Sequence, residues 1–177
     1  MTDLLTYDLG PGVEAFSTRR DSVLPYPVLT AHQVHGTAIA VISGKMNRDD
    51  LQGFDALITD IPGLAIGVRT ADCVPILLHD PVRHVVAAVH SGWRGTVQRI
   101  VTKVIARMGV QYGTRPQDLR AVIGPAIGPD SFQVGEEVVA AFSDAGFPME
   151  QIWSFREMQH ENPMSGGHHI DLWRANR

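Results

Sequence analysis

Short apolar runs separated by glycine and proline set the rhythm of this chain. Residues 38–42, 56–59, 64–68, 74–79 and 85–90 are strand-length, rich in β-branched side chains and nearly continuous in apolar character. That pattern predicts strands buried on both faces. Residues 119–123 form another such run, ended by Gly124-Pro125. The period changes at Gly95. Val97, Ile100, Val101, Val104, Ile105 and Met108 recur every 3.6 residues, with Arg99, Lys103 and Arg107 mostly off that stripe. The spacing predicts a helix over 95–108, capped by Gly109. A shorter helix is expected to begin near Gly135, where Glu136 and Glu137 suit the positive end of the helix dipole. Beyond Phe147 the pattern turns irregular. Asn162-Pro163 and Gly166-Gly167 mark a loop, and residues 168–173 read as a short strand or the entry to a last helix. With strands filling the middle and helices entering after residue 95, the expected fold is an α/β (α+β) sandwich, a mixed β-sheet flanked by helices.

Composition narrows the class without naming a function. A length of 177 residues suits a single domain over 1–177, and 44% hydrophobic with 19% charged residues marks a globular chain. The net charge of −4 and the scattering of basic residues, with Arg19-Arg20 as the adjacent pair, give no nucleic-acid surface. The segment Met1 to Gly10 carries Asp3 and Asp8 and does not read as a signal peptide. No apolar run is long enough for a membrane span. Cys73 is the sole cysteine, so an intramolecular disulfide is excluded and a reducing, cytoplasmic setting is expected. Nothing in the pattern fixes an oligomeric state.

The chemistry gathers around that cysteine. Asp80-Pro81-Val82-Arg83 is a tight-turn sequence between two strand runs. If Asp80 faces Arg83 across the turn, Cys73 faces His90 directly, a separation that suits a shared metal or a thiolate–imidazole pair. After His90 comes Ser91-Gly92-Trp93-Arg94-Gly95, a glycine-flanked turn into the helix. Arg94 and the helix-start N–H groups there offer donors to an anion, and a plain strand-to-helix connection with a packed tryptophan fits equally well. His32-Gln-Val-His-Gly36 adds two more imidazoles. A His-x-x-His pair recurs by chance, and His35, Cys73 and His90 match no short zinc-finger spacing. The residues alone favour the Cys73–His90 pair and leave His35 open.

Five motifs in order give a more specific signal: His32-Gln-Val-His-Gly36, Asp55-Ala-Leu-Ile-Thr59, Thr70-Ala-Asp-Cys-Val-Pro75, Val89-His-Ser-Gly-Trp-Arg-Gly95 and Gly124-Pro-Ala-Ile-Gly-Pro129. Together they resemble the bacterial purine nucleoside phosphorylase family once described as multicopper polyphenol oxidase or laccase-like, also called the peptidoglycan editing factor family. The resemblance runs from about Phe16-Ser-Thr-Arg19 to Asp171-Leu-Trp173. It implies a mixed α/β sandwich distantly like Cys–His hydrolase folds, and metal ligands at His35, Cys73 and His90. The chain departs from the family in three places. The link from Arg20 to His32 is short, Gln133 stands where a glutamate is usual, and the usual C-terminal Cys-Thr and Ser-Tyr-Arg-Arg elements do not follow Arg177. A short or truncated form of the family domain is therefore the expectation.

One thiolate and two imidazoles leave a fourth position open, the pattern of a catalytic zinc, and the same donors also accept copper. Laccase chemistry needs several coppers and many more converging histidines than the 8 present. The resemblance implies phosphorolysis of purine nucleosides, methylthioadenosine included, and deamination of adenosine, with purine nucleosides and phosphate as the partners. Phosphate must be held by cationic donors, for which Arg94 and then Arg19 are the candidates, with Arg69 a weaker one. Asp72, beside Cys73, is a candidate acid/base or ligand-orienting residue. His32 is a candidate to support the ligands, and His79, His84, His160, His168 and His169 read as structural or solvent-facing. Two other readings stay open: a metal-free hydrolase with Cys73 as nucleophile and His90 as base, and a non-catalytic binding protein.

Overall fold

The computed structural model describes residues 4–24, 26–157 and 166–177. Among these residues there are ten strands: β1 (Leu4–Tyr7), β2 (Ala15–Thr18), β3 (Ile39–Ile42), β4 (Ala56–Thr59), β5 (Val74–Asp80), β6 (Val85–Ser91), β7 (Arg120–Ile123), β8 (Gln133–Val134), β9 (Trp153–Arg156) and β10 (Gly167–Ile170). The α-helices are α1 (Trp93–Val97), α2 (Ile100–Tyr112), α3 (Glu136–Asp144), α4 (Met149–Ile152) and α5 (Leu172–Ala175). The central sheet has the order β3-β4-β6-β5-β7. β3 runs parallel to β4, and every other neighbouring pair is antiparallel. The expected mixed sheet with helices against it is the observed architecture. A small sheet, β8-β10-β9, and the β1-β2 hairpin complete it.

Strand alternation divides the central sheet into two chemically different faces. Ala56 and Ile58 of β4, Val74, Ile76 and Leu78 of β5, and Val85, Ala87 and Val89 of β6 share a core with Ile100, Val104 and Met108 of α2. Those three α2 side chains are fully buried, each worth roughly 1.5–3 kcal/mol of apolar transfer. The other face is covered more thinly. Ala40, Ile42 and Leu57 pack there with Ala31 and Leu51. Beside them lies a cavity of about 1430 Å³ whose walls include Phe16, Tyr26, Leu77 and Val86.

Three local expectations are corrected. Residues 64–68 do not form a strand: Ile66 makes a single parallel bridge to Leu29, closed by Leu29 N–H to Ala65 O and Gly67 N–H to Leu29 O, each 2.9 Å. Gly63, at φ 77°, turns the chain just before this run. The predicted helix is two helices. Arg99 adopts the left-handed conformation at φ 59°, where its guanidinium donates to Ala145 O at 3.1 Å and stacks 3.6 Å from the Phe147 ring centroid. The left-handed C-cap is Gly113 at φ 72°, and Gly109 lies inside α2. The third correction is the β5–β6 register. Asp80 pairs with Val85, not Arg83, because its carboxylate accepts from the Val82 and Arg83 N–H groups at 2.9 and 3.0 Å and closes a wider loop. Pro75, not Cys73, therefore faces His90. The slip is two residues, so side-chain parity survives, and Cys73 and His90 stay on the same, thinly covered face.

In the C-terminal part, residues 168–173 contribute both to a strand (β10) and to the start of α5. The loop expected at Asn162-Pro163, and His160, lie outside the described residues.

Candidate metal centre

The geometry starts from a buried carboxylate. Asp55 precedes β4 and has no exposed surface. It continues the β4–β6 ladder by one step, its carbonyl accepting the His90 N–H at 2.8 Å. Its side chain closes the arrangement. Oδ1 accepts the His35 N–H at 2.9 Å and lies 2.8 Å from His90 Nδ1, and Oδ2 accepts from Val34 at 3.3 Å and Gly36 at 2.8 Å. Each oxygen thus accepts two hydrogen bonds, a full complement for an ionised carboxylate. Three successive backbone N–H groups wrapping one anion form a nest, which holds His35 in the left-handed region at φ 61°. Such a conformation costs a non-glycine residue of order 1 kcal/mol and persists only where its surroundings enforce it.

This carboxylate also sets the chemistry of His90. A carboxylate only accepts, so the Nδ1 facing it carries the proton, and Nε2 is left with its lone pair. Burial lowers the His90 pKa from its ordinary value, and nearby His35 lowers it further, against the pull of Asp55. The imidazole is therefore neutral near pH 7, the state a metal ligand requires. The rings of His35 and His90 meet edge to face, their centroids 4.9 Å apart.

Cys73 enters from the start of β5. Its register partner by extension of the ladder is Gly92, and a methyl group there would lie 3.0 Å from Cys73 Sγ and 3.0 Å from His35 Cδ2. Glycine at 92 is what admits the thiol and the imidazole together. Ligand atoms of His35, Cys73 and His90 all lie within 4.8 Å of one another, the one such group of His, Cys, Asp or Glu among the described residues. A tetrahedral zinc holds its ligand atoms about 3.3–3.8 Å apart, so a small inward rotation completes the set. Burial raises the thiol pKa, with Asp72 and Asp55 adding to the shift. Donor types, the tautomer fixed by Asp55 and the buried support behind the ligands all fit a mononuclear soft-to-borderline metal.

The three potential ligands open onto a cavity of about 410 Å³. Asp72 lines it beside Cys73, as do Arg48 and Arg69. Arg69 is held by the Gln33 amide, which donates to Arg69 O and accepts from Arg69 N–H, both at 2.8 Å. Arg94 stands elsewhere, exposed, with its guanidinium 4.4 Å from the Trp93 ring centroid, and Arg19 lines the larger cavity. His32 lies 3.7 Å from Asp49. Sequence reasoning did not assign a role to Asp55. The signal was available: an acid directly before the wholly buried run Ala56–Thr59 must find partners.

A mixed sheet carrying a His–Cys–His cluster on its thinly covered face defines an α+β protein with one candidate mononuclear metal centre. The sequence model of the family described as multi-copper polyphenol oxidoreductase laccase matches residues 14–177, and the chain belongs to that family. It is 41% identical over 181 residues to a purine nucleoside phosphorylase of Bacteroides thetaiotaomicron, an alignment covering 94% of this chain and 65% of that protein. It is 43% identical over 152 residues to adenosine deaminase RL5 of an unknown prokaryotic organism, covering 82% of this chain and 55% of that one. The crystal structure of the Bacillus licheniformis hypothetical protein YfiH is similar at a TM-score of 0.71 and 30% identity, covering 84% of this chain and 56% of the other. The chain spans between about half and two thirds of the length of these curated relatives. No described helix is long and apolar enough to cross a membrane.

Proposed function

We propose that this chain is a zinc-dependent purine nucleoside phosphorylase that also deaminates adenosine and cleaves methylthioadenosine, acting as a single domain in the cytoplasm. The observation that carries this reading is the convergence of His35, Cys73 and His90, with Asp55 behind them, at the wall of one cavity. Support comes also from relatives named purine nucleoside phosphorylase and adenosine deaminase at 41% and 43% identity. Three protein ligands with an open fourth position are the pattern of a catalytic zinc. A zinc ion held there supplies Lewis-acid chemistry at the reacting atom. This chain's own side chains do the rest. Asp55 aims His90 and fixes its tautomer while burial keeps the ring neutral, Cys73 gives up its thiol proton on binding, and Asp72 at the cavity wall exchanges a proton with the substrate. Copper suits the same donors, but the one such cluster among the described residues provides for one ion, whereas multicopper oxidation needs several.

The test is zinc analysis of purified protein together with product analysis on adenosine, inosine and methylthioadenosine, with and without phosphate. About one zinc per chain, free base released only with phosphate, and inosine formed from adenosine are the expected results. Zinc-free wild type, or zinc-loaded protein that turns over none of these nucleosides, overturns the reading, and the second result favours a binding protein.

One observation favours a second reading. The sequence of contacts Asp55–His90 with Cys73 alongside has the make-up of a Cys–His–acid hydrolase. Against it, burial pushes the Cys73 thiol up, whereas nucleophilic cysteines have lowered pKa values. His35→Ala separates the two: it removes metal and activity in the zinc enzyme and spares activity in a hydrolase.

A further inference from the structure

Among the described residues, two arginines line the candidate metal cavity without a side-chain partner. Arg48 and Arg69 both line the space that holds His35, Cys73 and His90, and both are exposed. Neither guanidinium has a hydrogen bond or ion pair among the described residues. Four arginines away from this cavity are engaged: Arg115 with Asp118, Arg156 with Asp130, Arg99 with Ala145 O and Phe147, and Arg174 with Gln151 O. The two cavity arginines are also anchored at their backbones. Gln33 clips Arg69 through two 2.8 Å hydrogen bonds. Arg48 opens a single 3-10 turn in which the Asn47 N–H donates to the Asp50 carboxylate at 2.9 Å and the Leu51 N–H donates to Arg48 O at 3.0 Å. Leu51, the residue that ends this turn, is fully buried. Fixed backbones with free cationic heads are what a ligand clamp requires, because little ordering is left to do on binding.

We propose that Arg48 and Arg69 form the oxyanion clamp of this cavity and hold the inorganic phosphate of the reaction, an inference that rests on the phosphorylase reading. A guanidinium presents a planar fork that matches two phosphate oxygens, and two forks from separate loops fix the anion's orientation as well as its charge. Asp72 is the carboxylate in the same lining, so two cations face one anion and the wall is net positive before any metal is counted. Of the three candidates from sequence, Arg94 and Arg19 do not line this cavity, and Arg69, the weaker one, does.

The test uses zinc-loaded wild type, Arg48→Ala, Arg69→Ala and the corresponding lysine variants. It measures KM for phosphate and for inosine, with phosphorus NMR titration of inorganic phosphate in the absence of nucleoside. Each alanine variant is expected to raise the phosphate KM about tenfold or more, with a much smaller change in the inosine KM, and to abolish phosphate line broadening. Lysine restores part of the loss, since it keeps the charge without the fork. An unchanged phosphate KM in both alanine variants overturns the clamp. If wild type turns over no nucleoside, the phosphorylase reading fails and the titration alone judges the clamp. Broadening seen in wild type and lost in both variants then supports it, and broadening absent from wild type or retained in the variants overturns it.

Discussion

Two regions of this protein gather histidines beside other polarisable side chains, and only one of them brings its donor atoms together as a metal site would need. In the first, His90 spends Nδ1 on Asp55 and keeps Nε2 for the cavity, with His35 and Cys73 converging beside it. In the second, on β10, His168 accepts the Trp153 indole N–H at Nδ1, 3.0 Å away, stacks on that ring and meets Phe155 edge to face. Its neighbour His169 is buried and turns its Nδ1 toward Gly167 O at 3.1 Å. Adjacent strand residues point to opposite faces, so this pair does not converge. The number of histidines is similar in the two places. What differs is whether a buried carboxylate fixes the tautomer while leaving a lone pair pointed at other donors.

The strongest way to break the contrast is to remove a ligand. Cys73→Ser and His90→Ala are each expected to reduce metal content from about one ion per chain to near zero by elemental analysis. Retained stoichiometric metal in both variants would place the ion elsewhere. The same cysteine sets a pH dependence. Burial, with Asp72 and then Asp55, raises its thiol pKa, so the free site holds the thiol protonated at neutral pH and metal uptake displaces that proton. Metal affinity should climb about tenfold per pH unit below the thiol pKa and flatten above it, measured by competition with a chromophoric chelator. A pH-independent affinity between pH 6 and pH 8, on the order of the physiological range, would contradict thiolate ligation.

Asp55→Asn comes next. An amide cannot accept from three backbone N–H groups and an imidazole at once, because the two donors that face its NH2 lose their acceptor. Metal affinity is expected to fall about 10–100-fold and unfolding free energy by about 1–3 kcal/mol. A loss of stability with unchanged affinity would reduce Asp55 to a structural role. Gly92→Ala is a finer probe because φ there is −71°, where alanine fits the backbone. The added methyl meets Cys73 Sγ and His35 Cδ2 at 3.0 Å, and such overpacking corresponds to roughly a tenfold loss of metal affinity. Undiminished affinity would show that the ligands have room to spare. The smallest effect belongs to the second histidine region. His168→Ala should lower stability by about 0.5–1.5 kcal/mol through lost ring contacts, with metal content unchanged.

Much of this was legible in the chain. The β-branched runs located β3 to β7 of the central sheet, and the expected fold class matches the structure and its crystallographic relatives. Cys73 and His90 were placed on one face from a turn motif, although the turn itself was misread. Asp80 caps the loop with its side chain and shifts the register by two residues, a parity-conserving error. Two-residue slips are invisible to a face argument. The helix break was hidden because Arg99 looks like an ordinary polar position, and its left-handed turn depends on Phe147 and Ala145 far along the chain. Strands β1, β2, β8 and β9 escaped notice since they are at most four residues long and bury at most one residue each, so no apolar period marks them. His35 was the weakest of the three ligand candidates on spacing alone. What brings it in is a nest around Asp55, a contact across 20 residues that no local pattern encodes.

The clip between Gln33 and Arg69 has a chemical consequence of its own. A side-chain amide there imitates a neighbouring strand, offering one donor and one acceptor to a single residue's backbone. The amide of a glutamine, unlike a backbone peptide group, can lose its nitrogen without cutting the chain. Deamidation at position 33 would replace the donor by an oxygen and set it against the Arg69 carbonyl, turning an attraction into a repulsion with no change in side-chain length. The loop beside the cavity therefore depends on an intact amide at position 33, a requirement that a strand in the same place would not have.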